Sequence, residues 1–293
     1  GSYYALFHAI SAFNNAGLSL FPNSMASFHD DPTTLLSLAA LSILGGLGYP
    51  ILAELWQRLV RSDRHFLWRH LSLNSRVGLL ATMILLVGGT LAILLFEGGN
   101  PHTLGAMPWS ERLLSAFFMA VTPRTAGFYS VDPGHMTNAT LFFIILLMFI
   151  GTNPSGTGGG VKTTTLAVML AQALAVVQGR QVSTLLHRRL NVATVRKAAT
   201  TVIISWGLIN VVAMLLALTE QRDFLRLMFE TVSAFANDGL SAVLTPTLSP
   251  PGQLIIIATM YVGRVGVIIV GMAIWRKKPR SALQYAEESL LVG

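Results

Sequence analysis

Three short stretches carry the residues most suited to selective chemistry. Ser11-Ala-Phe-Asn-Asn-Ala-Gly-Leu-Ser19 and Ser233-Ala-Phe-Ala-Asn-Asp-Gly-Leu-Ser241 agree at seven of nine positions, and a looser copy places Ser115-Ala-Phe117 ahead of Thr125-Ala-Gly-Phe128 with six extra residues between. The aligned glycines, Gly17, Gly127 and Gly239, are 110 and 112 residues apart. Glycine lets successive carbonyls turn toward one axis through backbone conformations that a Cβ resists, and a ring of such carbonyls replaces the hydration shell of a cation. A short helix ending at each turn adds the negative end of its dipole. Each turn is therefore expected to supply one wall of a cation filter through its backbone carbonyls; the bland alternative is a repeated tight packing turn.

A second polar stretch, 151–165, interrupts an apolar helix. Gly156-Thr-Gly-Gly-Gly-Val-Lys-Thr163 is one residue from a phosphate-binding loop, but Val161 stands where that pattern has glycine, and an apolar helix rather than a strand precedes it. Helix-breaking residues at membrane depth must line a cavity or be covered by protein. Gly156, Thr157, Gly158, Gly159, Gly160 and Lys162 are therefore read as a gate below the filter, with a snorkelling anchor as the alternative for Lys162. Arg264, mid-way along the last apolar run, must face the bundle interior or water. There it acts as an electrostatic barrier or caps the carbonyls of a broken helix. No nucleophile–base pair, paired carboxylates or metal cluster is visible, there is no cysteine, and no cofactor or enzymatic activity is implied.

The elements that must position these residues are membrane helices. Hydrophobic side chains make up 53% of the chain and charged ones 11%, with a mean hydropathy of +0.60. A soluble domain carries roughly 25% charged residues, so an all-α polytopic membrane protein is expected. Apolar runs of spanning length lie at Thr33–Leu55, Val77–Phe96, Ala139–Val177 (interrupted), Ala198–Leu218 and Gln253–Trp275. Tyr3–Phe13, Glu111–Val121 and Phe224–Phe235 are too short to cross and read as re-entrant helices. The unit is helix, pore loop, helix, repeated pseudo-symmetrically about a central pore, with repeats at 1–62, 63–180 and 181–293. Only 16 residues precede Gly17, so the first unit lacks its outer helix and a portion ahead of Gly1 is expected to be missing.

Fourteen of the twenty Lys and Arg residues cluster in two inter-helix loops (Arg58, Arg61, Arg64, Arg69, Arg76; Arg180, Arg188, Arg189, Arg196, Lys197) and after the last span (Arg276, Lys277, Lys278, Arg280). That face is cytoplasmic by the positive-inside rule. The opposite face gathers Asp30, Asp31, Glu97, Glu111, Asp132, Glu220, Asp223 and Glu230, an acidic mouth that would concentrate cations. Asn153 and Asn210 are expected to hydrogen-bond between helices, and Glu54 to pair with Arg58.

The re-entrant helix with its Gly turn, the Thr122-Pro-Arg-Thr-Ala-Gly-Phe128 stretch and the polar loop together resemble the Trk/Ktr/HKT superfamily of potassium transporters. The chain is similar to the last three of that family's four repeats. The resemblance implies potassium uptake across a bacterial cell membrane, a homodimer, and a cytosolic ring of nucleotide-binding regulatory subunits. It implies that K⁺ is held by the backbone carbonyls of the filter residues Asn15, Ala16, Gly17 and Leu18; Thr125, Ala126, Gly127 and Phe128; and Asn237, Asp238, Gly239 and Leu240. It implies that Arg264 meets the gate loop and that Arg124 braces the filter. Asp238 departs from the apolar residue usual before the last filter glycine. Its carboxylate either accepts backbone hydrogen bonds behind the filter or faces the mouth. A secondary transporter coupled to Na⁺ or H⁺, with substrate at the broken helices, is the alternative; it would need inverted halves, whereas these repeats share one orientation. A membrane-embedded enzyme using Asp238 or Lys162 would need an acid–base partner at the same depth.

Overall fold

The computed structural model describes residues 1–60, 68–242 and 244–266. Among them are ten α-helices: α1 (Ser2–Phe13), α2 (Pro32–Leu47), α3 (Tyr49–Val60), α4 (Leu73–Glu97), α5 (Trp109–Val121), α6 (Asn138–Phe149), α7 (Thr163–Val177), α8 (Val192–Thr219), α9 (Phe224–Ala236) and α10 (Pro250–Val265). A two-residue hairpin, β1 (Thr184–Leu185) with β2 (Arg188–Arg189), follows α7. The all-α polytopic class expected from the composition is the class observed.

Side-chain caps set where the helices start. Asp31, Ser72, Thr137, Asn191, Asp223 and Ser249 each accept a hydrogen bond from a backbone N–H in the first turn of the helix that follows. Pro32 and Pro250 supply first-turn residues that need no donor. At 1.5 Å per residue, 25 and 28 residues make α4 and α8 about 37 and 42 Å long, enough to cross a hydrocarbon core of about 30 Å. Both present apolar side chains outward, such as Ile84 and Leu95 on α4 and Ile203 and Leu218 on α8, as a lipid-facing surface requires.

Of the short helices, α5 packs on α4 and α9 lies among α6, α8 and α10, while α1 packs on α2 and leaves Tyr3, Leu6 and Ile10 exposed. The main core joins Phe229, Val232 and Phe235 of α9 to Ile144, Ile145 and Met148 of α6, with Ile93, Met119 and Ile209 closing it. A second cluster packs Ala12 of α1, Leu35 and Leu38 of α2, and Phe118 and Phe128 around the first hairpin.

Two spans differ from the sequence expectation. The first is not one helix: α2 and α3 meet at Gly48 (φ +86°) with a bend of 101°. Gly48 allows this because the chain turns there into a left-handed conformation closed to most side chains. The last described helix, α10, ends at Gly266 (φ +93°); the rest of the predicted span to Trp275, together with Arg276, Lys277, Lys278 and Arg280, lies outside the described residues, as do Arg61 and Arg64. Asn210 donates to Trp206 O of its own helix at 2.8 Å rather than across helices. Glu54 does pair with Arg58 (3.6 Å), and it also accepts from Ser72 N (2.8 Å) and Ser72 Oγ (2.9 Å), fastening α3 to the start of α4.

Candidate ion pathway

Each short helix runs into a tip of one design. Asn15 (φ +49°), Thr125 (φ +74°) and Asn237 (φ +55°) are left-handed, and so are Gly17 (+66°), Gly127 (+73°) and Gly239 (+101°) two residues later. Non-glycine residues adopt such angles rarely, Asn more readily than most. The same pair of angles at three matched places is the backbone signature of the repeat.

The tips converge. A Cβ built on Gly17 would lie 2.7 Å from the Asp238 carbonyl oxygen and 3.1 Å from Gly127 Cα; one on Gly127 would lie 2.7 Å from Gly17 Cα; one on Gly239 would lie 3.7 Å from both other Cα atoms. The three glycines thus face one another, and any side chain would enter the space between them. In the first and third hairpins a serine of the short helix braces the tip. Ser11 Oγ donates to Leu18 O (2.8 Å) and accepts from Leu18 N (3.0 Å); Ser233 Oγ donates to Leu240 O (2.6 Å). Ser115, expected to match them, does not: it lies twelve residues before its glycine instead of six, and its buried hydroxyl has no partner among the described residues. The Ser-Ala-Phe match in the second copy is therefore coincidental to the tip, and the glycines and their angles carry the equivalence.

Directly beneath lies the polar loop. Thr157 Oγ1 donates to Phe13 O of the first hairpin (3.2 Å); a Cβ on Gly158 would collide with Thr125 Oγ1 of the second; a Cβ on Gly159 would collide with the Ala236 carbonyl of the third. Three consecutive residues thus sit one under each tip. Backbone bonds hold the loop: Gly151 N to Val161 O (2.9 Å), Asn153 N to Gly46 O (3.1 Å) and Thr157 N to Gly45 O (3.2 Å). Two cations serve its carbonyls. Lys162 Nζ donates to Gly158 O (2.6 Å) and Gly159 O (3.4 Å), and Arg264 donates to Thr157 O (2.6 Å). Lys162 is folded back on the loop, a geometry unlike that of a snorkelling anchor.

Residues 2–283 match the TrkH family, described as a cation transport protein. The chain belongs to the TrkH family. Over its whole length it is 40% identical to the Ktr system potassium uptake protein B of Vibrio alginolyticus, covering 63% of that protein, and 37% identical to the Ktr system potassium uptake protein B of Bacillus subtilis, covering 64%. It is 36% identical to the potassium/sodium uptake protein NtpJ of Enterococcus hirae, again covering 64%. The chain spans less than two thirds of each of these relatives. Among solved structures it is similar to the potassium transporter TrkH from Vibrio parahaemolyticus, with a TM-score of 0.73 at 18% identity over 94% of this chain and 60% of that one; this likeness concerns the fold.

In this TrkH-family chain Asp238 is fully buried and does not face an open mouth. Its carboxylate approaches the backbone amides of Thr125 and Gly127 in the neighbouring hairpin, and neither oxygen closes a well-formed hydrogen bond. Arg124 is buried beside the second tip and reaches Thr82 Oγ1 of α4 (3.3 Å). Thr82 also accepts from Asn153 Nδ2 (3.3 Å), and Asn153 Oδ1 accepts from Thr163 Oγ1. One buried chain of polar groups therefore joins the flank of the second tip to both ends of the loop.

Three members of the acidic face, Glu97, Glu220 and Glu230, are buried, whereas Asp30 and Asp223 stand exposed. Glu97 is buried and accepts from Thr137 N, Thr137 Oγ1 and Asn100 Nδ2, each at 2.8 Å. Glu220 accepts from Ser249 N (3.0 Å), so each carboxylate at the end of an outer helix holds the cap of the next inner helix. Glu230, inside α9, accepts from Ser241 Oγ (2.6 Å), Ala242 N (2.9 Å) and Thr245 Oγ1 (2.5 Å), tying down the segment that leaves the third tip. Asp31 and Asp223 cap helices, and the Thr34 hydroxyl holds the Asp31 carboxyl below the ordinary carboxylate range. Asp132 caps Gly134 N and pairs with His135 (3.2 Å), and Glu111 pairs with His29 (3.7 Å).

Three glycines outside the expected site, Gly45, Gly46 and Gly48, pack against the polar loop. A Cβ on Gly48 would lie 2.6 Å from Pro154 O, and one on Gly156 would lie 2.7 Å from Gly46 O, so the loop nests in the kink between α2 and α3. The sequence did hold a signal. Gly45 and Gly48 share their spacing with Gly263 and Gly266, and Gly45 and Gly263 would meet the carbonyls of Phe13 and Phe235, each four residues before a tip glycine.

Proposed function

We propose that this chain forms most of the ion path of a potassium uptake protein, with selection at the tips around Gly17, Gly127 and Gly239 and gating by loop 151–165. The convergence of three glycines from three matched hairpins, with Thr157, Gly158 and Gly159 one below each, carries this reading. Carbonyls at the tips would replace the water of a potassium ion. The loop blocks the way below, and Lys162 and Arg264 hold it there while their charge repels the ion. The names of the relatives support potassium as the ion. In this reading the repeats are 1–62, 63–180 and 181–293, and the basic loops face the cytoplasm of a bacterial cell. There the exposed Arg188, Arg189, Arg196 and Lys197 would dock a nucleotide-binding regulatory ring, and two copies of the full subunit would form a dimer.

Rubidium flux into vesicles containing the full-length gene product tests it. Gly127→Ser should abolish selective flux, because its side chain points into the shared space, and deletion of 156–160 should raise flux. A Gly127→Ser protein with unchanged flux and ion preference would sink the assignment.

A further inference from the structure

A cleft of about 520 Å³ opens on the outer surface between α4 and α7. Its walls are apolar: Leu80 and Ile84 from α4, Leu170 and Leu174 from α7. Charge is confined to one end, where Arg180 lines it with Gln178 and Thr184. At the other end it reaches Ile150 and Thr163, the residues that flank the gate loop.

The basic end is built with care. Gly179 (φ +65°) ends α7 and Arg180 N returns to Ala175 O (2.8 Å), a turn that sets Arg180 over the cleft. The hairpin β1–β2 then turns through Leu186 (φ +47°) and His187 (φ +63°). Two-residue hairpins with both central angles positive favour Asn-Gly; a leucine and a histidine there are strained, and such strain clusters at functional sites. What the strain achieves is visible: Leu186 lines the cleft, while His187, Arg188 and Arg189 stand exposed beside it. Ser183 Oγ on Gln172 Oε1 pins the hairpin to α7. No acidic residue occurs between Asp132 and Glu220, and among the described residues neither Arg180, Arg188 nor Arg189 has a salt-bridge partner.

We propose that this cleft binds one anionic phospholipid of the inner leaflet, with an acyl chain along Leu80, Ile84, Leu170 and Leu174 and the phosphate at Arg180 and Arg188. The length fits. α7 is about 22 Å long, and half of the hydrocarbon core is about 15 Å deep. Within a bilayer an apolar groove gains little from apolar contents alone, since the surrounding tails are as apolar, so the uncompensated basic end decides the occupant. A lipid seated there touches both hinges of the gate loop, and its occupancy biases the gate. The inner-leaflet assignment rests on the orientation proposed above.

The test uses the full-length gene product in mixed phosphatidylglycerol and phosphatidylcholine bilayers, with retained lipid read by native mass spectrometry. Wild type should retain phosphatidylglycerol over phosphatidylcholine, and each arginine lost should cut that preference about fivefold. Arg180→Gln with Arg188→Gln should therefore remove the preference. Ala167→Trp, which fills the cleft, should remove retention of both lipids, while Leu91→Trp on the opposite half of α4 should leave it intact. Leu174→Cys, in a full-length protein otherwise free of cysteine and carrying a thiol-linked photocrosslinker, is expected to capture phosphatidylglycerol. Equal retention of the two lipids, a preference surviving the double arginine change, or crosslinking of Leu174→Cys to protein instead of lipid would overturn the proposal. Retention is read without transport, so this result and the flux result fail separately.

Discussion

Replacing Arg264 by alanine should open the gate, and the geometry sets by how much. The guanidinium makes one contact with the loop, the 2.6 Å bond to Thr157 O. A hydrogen bond to a charged donor contributes about 1.5–3 kcal/mol. Arg264 is exposed in the chain, which places it at the low end, about 1.5 kcal/mol and hence roughly tenfold in the open-to-closed ratio. The loop does not come free, because Lys162 still holds Gly158 O and Gly159 O. The two cations repel each other across that loop, so removing one lets the other settle more tightly. Arg264→Ala and Lys162→Met combined should then raise flux by more than the product of the single effects. Rubidium uptake into vesicles at fixed protein density measures this. Arg264→Gln separates two roles: it keeps a neutral donor and should give only a few-fold rise if the bond is what matters, but should equal alanine if charge alone closes the path. Unchanged or slower uptake in a well-folded Arg264→Ala protein refutes the latch.

Glu230→Ala should destabilise by about 3 kcal/mol or more, since it strands three donors, and should also degrade potassium-over-sodium preference because those donors hold the segment leaving the third tip; competition of Na⁺ with Rb⁺ uptake reads the second effect. Glu97→Ala should cost about 2–4 kcal/mol in a denaturation assay and leave ion preference unchanged, since Glu97 caps an inner helix away from the axis. The present chain reconstituted by itself should pass no Rb⁺, because its three tips touch across the axis; measurable flux would mean that the tips part without a further wall.

The sequence revealed most where physics is local. Apolar runs of spanning length gave the broken α6–α7 pair nearly to the residue, and α4 and α8 with starts four and six residues late because their first turns are polar; the short runs gave α1, α5 and α9. Glycine at matched spacing located all three tips, because a left-handed turn leaves few alternatives. What stayed hidden was partnership. Glu97, Glu220 and Glu230 read as an acidic mouth because their polar partners lie across the fold, up to forty residues away. The Ser115 triplet looked like a repeat because identity of type says nothing about distance to the tip. The break at Gly48 was obscured by an uninterrupted apolar run, even though Gly45 to Pro50 held the means for it.

Two inner elements break below the tips: α2 at Gly48, where the chain bends by 101°, and the α6–α7 pair at the polar loop. α2 packs on α1 and α6 on α9, and both breaks touch the loop. On the function proposed above, α3 and α7 are then jointed limbs hung from a rigid collar. A pull on them would withdraw the loop while the tips stay still, so that discrimination and throughput would be separately adjustable.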